Sequence, residues 1–216
     1  IKNLGYNVFI PRIPPLKSLN IGAKNIDWFA HAYDKIINRD DVDIKNIAAV
    51  GISFGGSLLL KAMLEKKIFN NPPRSLLMYG SCFDLETGLQ FLLTGEIEHD
   101  GKIAHIPPND WGMTVLFHNF IKNIDLGYDT TKIEEILSAR VADDLELVER
   151  LKQNLNDHDL KLINDVLNGN INYEIEKISK KIIQTQKEIL NELSPSTFCH
   201  KIHSKVFVMH GANDSM

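Results

Sequence analysis

The segment that most constrains the fold is Gly-Ile-Ser-Phe-Gly at residues 51–55, because it lies between two runs of opposite character. Residues 47–52 form a nearly continuous apolar run, which is typical of a strand buried in a parallel sheet. Residues 57–67 are rich in Leu, Ala, Met and Lys, which favour a helix. The chain must therefore turn sharply with Ser53 at the tip, and Gly51 and Gly55 are expected where the backbones crowd together.

Three further apolar runs are predicted to be strands. They are 6–10, closed by Pro11, and the runs 75–79 and 205–209. Apolar residues at helical spacing from Ile26 to Ile37 predict a helix between the first strand and the strand at 47–52. Strands that alternate with helices indicate an α/β fold with a parallel sheet, covered by helices on both faces.

Residues 85–195 differ from the rest of the chain. They contain no comparable strand run and show successive amphipathic helical segments, with an irregular loop expected at 101–112 around Pro107 and Pro108. The predicted organisation is a core of residues 1–84 and 196–216, interrupted by a helical insertion at 85–195.

The strand-turn-helix segment carries a chemical hypothesis. A serine hydroxyl needs exposure and a neighbouring base to act as a nucleophile, and the tip of such a turn exposes it. The N–H of Phe54, at the start of the helix, would point towards a developing oxyanion. The alternative is a structural turn in which Ser53 only caps the helix.

Taken together, residues 47–64 and the segment 205–214, a strand followed by His210-Gly211-x-x-Asp214, resemble the α/β-hydrolase family. The resemblance covers roughly residues 1–84 and 196–216. It implies a serine hydrolase in which Ser53 attacks a carbonyl, Asp214 is the acid of the triad and water releases the acyl-enzyme. A carboxylic ester is the first expected substrate, followed by a thioester or an amide, and no cofactor or metal is implied.

The same resemblance leaves several roles open. Asp84 is the reserve candidate for the acid, and His210 is a candidate base, although the family's His-Gly pair usually has a structural role. The family places its catalytic histidine and its second oxyanion donor in segments that would lie beyond the two ends of this sequence. The sequence is therefore expected to continue at both ends, and residues 1–216 alone are expected to be inactive and marginally stable.

The insertion at 85–195 corresponds to the family's lid. Trp111, Phe117, Phe120 and Tyr128 would either line an apolar pocket for the acyl group or form the core of the lid itself. A different class of function remains possible, namely a non-catalytic protein of this fold whose helical insertion binds a partner.

Composition argues against other partners. A formal charge of −4 from 24 basic and 28 acidic residues gives no basis for nucleic-acid binding. No apolar run approaches the roughly 20 residues that cross a bilayer. Two cysteines, Cys82 and Cys199, supply neither a disulfide framework nor a metal-ligand set, which favours a reducing, cytoplasmic location.

Overall fold

The computed structural model describes residues 5–211, which divide into two compact units. We call residues 5–81 with 198–210 the sheet unit, and residues 82–197 the helical unit. The chain is an α/β protein, because the sheet unit contains a parallel sheet with helices packed beside it.

The sheet unit contains three strands and four α-helices, together with the last residue of a further helix. In chain order these are α1 (Pro14–Lys17), α2 (Asn25–Ile37), β1 (Ala48–Ile52), α3 (Phe54–Ala62), α4 (Lys66–Phe69), β2 (Ser75–Tyr79), the last residue of α11 (Pro195–Phe198) and β5 (Lys205–Met209). The strands at 48–52, 75–79 and 205–209 and the helix α2 confirm the sequence predictions.

The three strands form a parallel sheet in the order β1-β2-β5, which confirms the predicted direction of the strands. The register aligns Ile52 with Tyr79 and Tyr79 with Met209. The carboxyl ends of all three strands therefore meet at one edge of the sheet, immediately before Ser53, Gly80 and His210.

Within residues 5–211, only one face of the sheet is covered, and only over β1 and β2. Helix α3 packs there, over Gly51, Leu76 and Met78. The opposite face exposes apolar side chains from all three strands, namely Val50, Ile52, Tyr79, Phe207 and Met209. The prediction that β1 is buried on both faces was wrong, because an apolar composition cannot supply the second covering layer that a parallel sheet normally has.

The predicted strand at 6–10 was also wrong. These residues form no strand, and Ile10 is 89% exposed. Strand propensity reflects packing on a half-buried surface, and here no described strand pairs with the segment. It lies near Asp41 instead, where Asn7 Nδ2 donates weakly to the Asp41 carbonyl oxygen at 3.4 Å and the Arg39 guanidinium stacks over the Phe9 ring.

Helix α3 begins three residues before the predicted helix start and ends before the predicted end at Lys67. It starts at Phe54, directly after Ser53, and stops at Ala62, where a short irregular segment leads into α4. Helix α2 packs against α3 and α4, and the Tyr33 hydroxyl donates to the Asn71 carbonyl oxygen at 2.7 Å. These contacts hold α3 against the sheet.

The helical unit contains six long helices and one β-hairpin. The elements are α5 (Leu85–Thr94), β3 (Glu96–His99), β4 (Lys102–His105), α6 (Asp110–Phe120), α7 (Thr131–Val141), α8 (Leu145–Lys152), α9 (Asp157–Leu167) and α10 (Tyr173–Leu193), followed by most of α11. The predicted run of amphipathic helices is confirmed.

The hairpin corrects the prediction of an irregular loop from residue 101. Strands β3 and β4 pair antiparallel around the two-residue turn Asp100-Gly101, and both turn residues have positive φ, 50° and 71°. An Asp-Gly turn flanked by alternating residues is a strong hairpin signal, which could have identified this element. Only residues 106–109 remain as a loop before α6.

The helical unit has its own apolar core. Helix α5 packs along α10, and α6 packs against α7 and α9. Its fully buried side chains include Phe117, Ile133, Ile136, Leu137 and Ile163. Among the helices of residues 5–211, none is long and apolar enough to cross a membrane.

Candidate functional site

Ser53 adopts the strained backbone conformation expected of a residue at the tip of a tight strand-to-helix turn. Its φ is 52° and its ψ is −139°, a region that glycine adopts readily and other residues rarely do. The residue is exposed. Its hydroxyl makes no capping hydrogen bond to α3, which disfavours a role limited to capping the helix.

Two main-chain hydrogen bonds hold Ser53 in this conformation. The Ser53 N–H donates to the Tyr79 carbonyl oxygen at 2.8 Å and so extends the ladder between β1 and β2 by one residue. The Gly56 N–H donates to the Ser53 carbonyl oxygen at 2.9 Å. A strained residue persists only where its surroundings dictate its geometry, and the sheet on one side and the helix on the other do so here.

Close approach of the strand and the helix occurs between Gly51 and Gly56, not between Gly51 and Gly55. A Cβ on Gly51 would lie 2.5 Å from the Gly56 Cα, and a Cβ on Gly56 would overlap the Ser81 side chain. Around Gly55, by contrast, a Cβ would meet nothing within 4 Å. The expectation that Gly55 is required for packing was therefore wrong, and Gly56 has that role.

Phe54 is the first residue of α3, so its N–H has no acceptor within the helix. The partial positive charge of the helix amino terminus adds to this donor, and Ser53 immediately precedes it. This arrangement can stabilise negative charge close to the Ser53 hydroxyl. The role of the Phe54 N–H as an oxyanion donor stays a prediction.

His210 lies on the same edge of the sheet as Ser53 but two strands away. Strands are spaced by about 4.8 Å, so the two backbones are separated by about 10 Å. The His210 Nε2–H donates to the Ser81 carbonyl oxygen at 3.2 Å. This bond attaches the end of β5 to the loop after β2. The Ser53 hydroxyl donates no hydrogen bond to a side chain within residues 5–211.

Of the two candidate acids, the structure describes only Asp84. Asp214 lies outside the described residues. Asp84 is the N-cap of α5: one carboxylate oxygen accepts from the Thr87 N–H at 2.9 Å, and the other accepts from the Ser196 hydroxyl at 3.1 Å. Both oxygens of Asp84 therefore have partners in the helical unit, which is a structural use of this carboxylate.

The aromatic residues proposed for a pocket are used in different ways. Phe117 and Phe120 are buried in the core of the helical unit. Trp111 is half-buried, with the Arg140 guanidinium 4.9 Å from its ring centroid. Tyr128 borders a small open cavity beside His158. The structure therefore supports the interpretation that Phe117 and Phe120 form part of the core of the helical unit.

His158 and two carboxylates form a second polar cluster, which was not predicted from the sequence. The imidazole lies between Asp159 and Glu174 at hydrogen-bond distance from both. The pattern Asn156-x-x-Asp159 is close to a helix capping box and could have located the start of α9, but no local signal pairs His158 with a residue 16 positions later.

Within the described residues, no group of three or more His, Cys, Asp or Glu side chains is placed to hold a metal ion. Comparison of the chain with protein-family models, with curated proteins and with solved structures finds no match in any of the three.

Proposed function

We propose that Ser53 is the nucleophile of a serine hydrolase of the α/β-hydrolase type. The observation that carries this proposal is the backbone of Ser53, which combines positive φ, exposure and a position directly before a helix amino terminus. A strained serine that neither packs nor caps has no evident structural use, and strain of this kind is concentrated at functional sites.

The proposed reaction is acyl transfer to water. The Ser53 oxygen attacks the carbonyl carbon of a small, apolar ester while its proton passes to a base, and the Phe54 N–H stabilises the oxyanion. Collapse of the tetrahedral intermediate expels the alcohol and leaves an acyl-enzyme, which water then hydrolyses. A thioester or an amide would react in the same way with a different leaving group.

The base and the acid are the open parts of this proposal. His210 lies two strands away from Ser53 and is bonded to the Ser81 carbonyl oxygen, and the Asp84 carboxylate is occupied as a helix cap. We therefore do not assign His210 as the base. Asp214 remains the proposed acid, on the resemblance of the segment that follows β5.

The test is covalent labelling of the natural protein with a fluorophosphonate, from which an activated serine oxygen displaces fluoride. We expect labelling of the unmodified protein and its loss in Ser53→Ala. Ser81→Ala is the matched control, because Ser81 also lies in the loop after a strand of the same sheet and should leave labelling intact.

Two outcomes contradict the proposal. Equal labelling of Ser53→Ala would place the reactive group elsewhere. A folded natural protein that is never labelled would favour the alternative, a non-catalytic protein of this fold that binds a partner through its helical unit.

A further inference from the structure

His158 occupies the second position of α9 and bridges two carboxylates that come from different helices. Its Nδ1 lies 3.0 Å from an oxygen of Asp159, on α9 itself. Its Nε2 lies 2.7 Å from an oxygen of Glu174, at the second position of α10. These three side chains, which we call the 158–159–174 cluster, join the amino ends of the two helices.

The geometry requires a protonated ring. Carboxylates only accept hydrogen bonds, and a neutral imidazole has a single N–H to donate. With two acceptors at 3.0 and 2.7 Å, the ring must carry both protons, since otherwise a nitrogen lone pair would face a carboxylate oxygen. The two carboxylates also offset the unfavourable position of a cation at the amino end of α9.

The other groups around the ring come from the segment before α7 and from α7 itself. The Tyr128 ring meets the imidazole edge to face, with centroids 5.1 Å apart, and Asp129 and Lys132 line the adjoining cavity of about 390 Å³. Burial, with a contribution from the charges of Glu174 and Asp159, raises the pKa of Tyr128 to about 12, so this phenol stays neutral. Lys132 is directed elsewhere, since it donates to the Asn154 carbonyl oxygen at 2.9 Å.

The two carboxylates differ in how firmly they are held. The side chain of Asp159 is 11% exposed and accepts a further hydrogen bond from the Asn156 side chain at 2.9 Å. The side chain of Glu174 is 33% exposed, and its contact with His158 is its one recorded side-chain hydrogen bond among the described residues. When the ring loses a proton, the bond to Glu174 is therefore the one expected to break.

We infer that the 158–159–174 cluster is a pH-sensitive latch within the helical unit. While His158 is protonated, the cluster adds a bridge from α9 to the amino end of α10, beside the hydrogen bond that the Asn172 side chain donates to Asp165 at 2.7 Å. The hydrogen bonds to Asp159 and then to Glu174 raise the pKa of His158 above its ordinary value of 6.5. A raised folded-state pKa means that the stabilisation is complete below pH 6.5 and is lost as the pH rises through the folded-state value. This inference does not rest on the proposed function of Ser53.

The first experiment is an NMR titration of the histidine side chains in the whole protein and in Glu174→Gln. We expect His158 to titrate above 6.5 and to move towards 6.5 in the variant, which keeps the size of the side chain and removes its charge. A His158 that titrates at or below 6.5, or that does not respond to Glu174→Gln, would overturn the inference.

The second experiment measures amide exchange at Glu176, whose N–H donates to the Asn172 carbonyl oxygen in the first turn of α10. After correction for intrinsic exchange, protection should fall by about two- to fivefold above the folded-state pKa of His158, as expected for a half-exposed ion pair. Glu174→Gln should abolish this pH dependence, and His31→Gln, at an exposed histidine of α2, should retain it. The same pH dependence in Glu174→Gln would show that the latch does not exist.

Discussion

At the scale of single residues, the geometry around Ser53 depends on two glycines that are five positions apart. The Gly-x-Ser-x-Gly pattern draws attention to Gly51 and Gly55, but the backbone contact joins Gly51 to Gly56. The difference arises because α3 begins immediately at Phe54, so its first turn brings Gly56 against the end of β1. The close approach of Gly51 to Gly56 cannot be predicted from the pattern of residue types.

This contact predicts opposite outcomes for two similar substitutions. Gly51→Ala should lower the free energy of unfolding by about 1–3 kcal/mol, because the new methyl group would overlap backbone atoms of α3. Gly55→Ala should be neutral or stabilising by up to about 1 kcal/mol, because it adds a better helix former in open space. Urea denaturation of both variants checks this, and equal losses of stability would refute the assigned contact.

At the scale of elements, Asp84 shows how a candidate catalytic residue can have a structural use. It caps α5 through the Thr87 N–H and also accepts from Ser196, 112 positions later. The family resemblance made Asp84 a reserve candidate for the acid because this residue follows β2 closely. The capping role of Asp84 follows from the start of α5 at Leu85.

The cap predicts a difference between two replacements of Asp84. Asp84→Ala should cost about 1 kcal/mol of stability, whereas Asp84→Asn keeps an oxygen acceptor for the Thr87 N–H and should cost much less. Thermal or urea unfolding measures both. A stable Asp84→Asn protein that has lost fluorophosphonate labelling would instead identify Asp84 as the catalytic acid.

At the scale of the whole molecule, the sheet has two very different faces. One face is packed under α3, where Leu76 is fully buried, whereas the other exposes Val50 to 56% and Phe207 to 57%. Both faces are apolar in sequence, since most residues of the three strands are apolar. The sequence predicted two covered faces for this reason.

The two faces should respond differently to substitution. Leu76→Ala should lower stability by about 2–5 kcal/mol through lost burial and the cavity left behind. Val50→Thr keeps a β-branched side chain at an exposed position and should change stability by less than about 0.5 kcal/mol. Unfolding measured in denaturant compares them, and a large loss in Val50→Thr would show that this face is covered in solution.

Much of the sheet unit could be predicted from the sequence, because its signals are local. The strands at 48–52, 75–79 and 205–209, the helix α2 and the parallel direction follow from apolar runs and from the alternation of strands with helices. The segment at 6–10 carried a similar apolar signal and failed, because a strand also requires a partner. The position of Ser53 at the tip of the turn was local as well.

What the sequence alone determined about this protein is therefore the α/β class, the three parallel strands and the serine at the end of β1. Tertiary structure decided the rest, because each remaining feature depends on where the folded chain places particular atoms in space. These features are the contact of Gly51 with Gly56, the exposed face of the sheet and the cap at Asp84. The pairing of His158 with Glu174 belongs with them, since only the folded helices bring an imidazole on α9 to a carboxylate on α10.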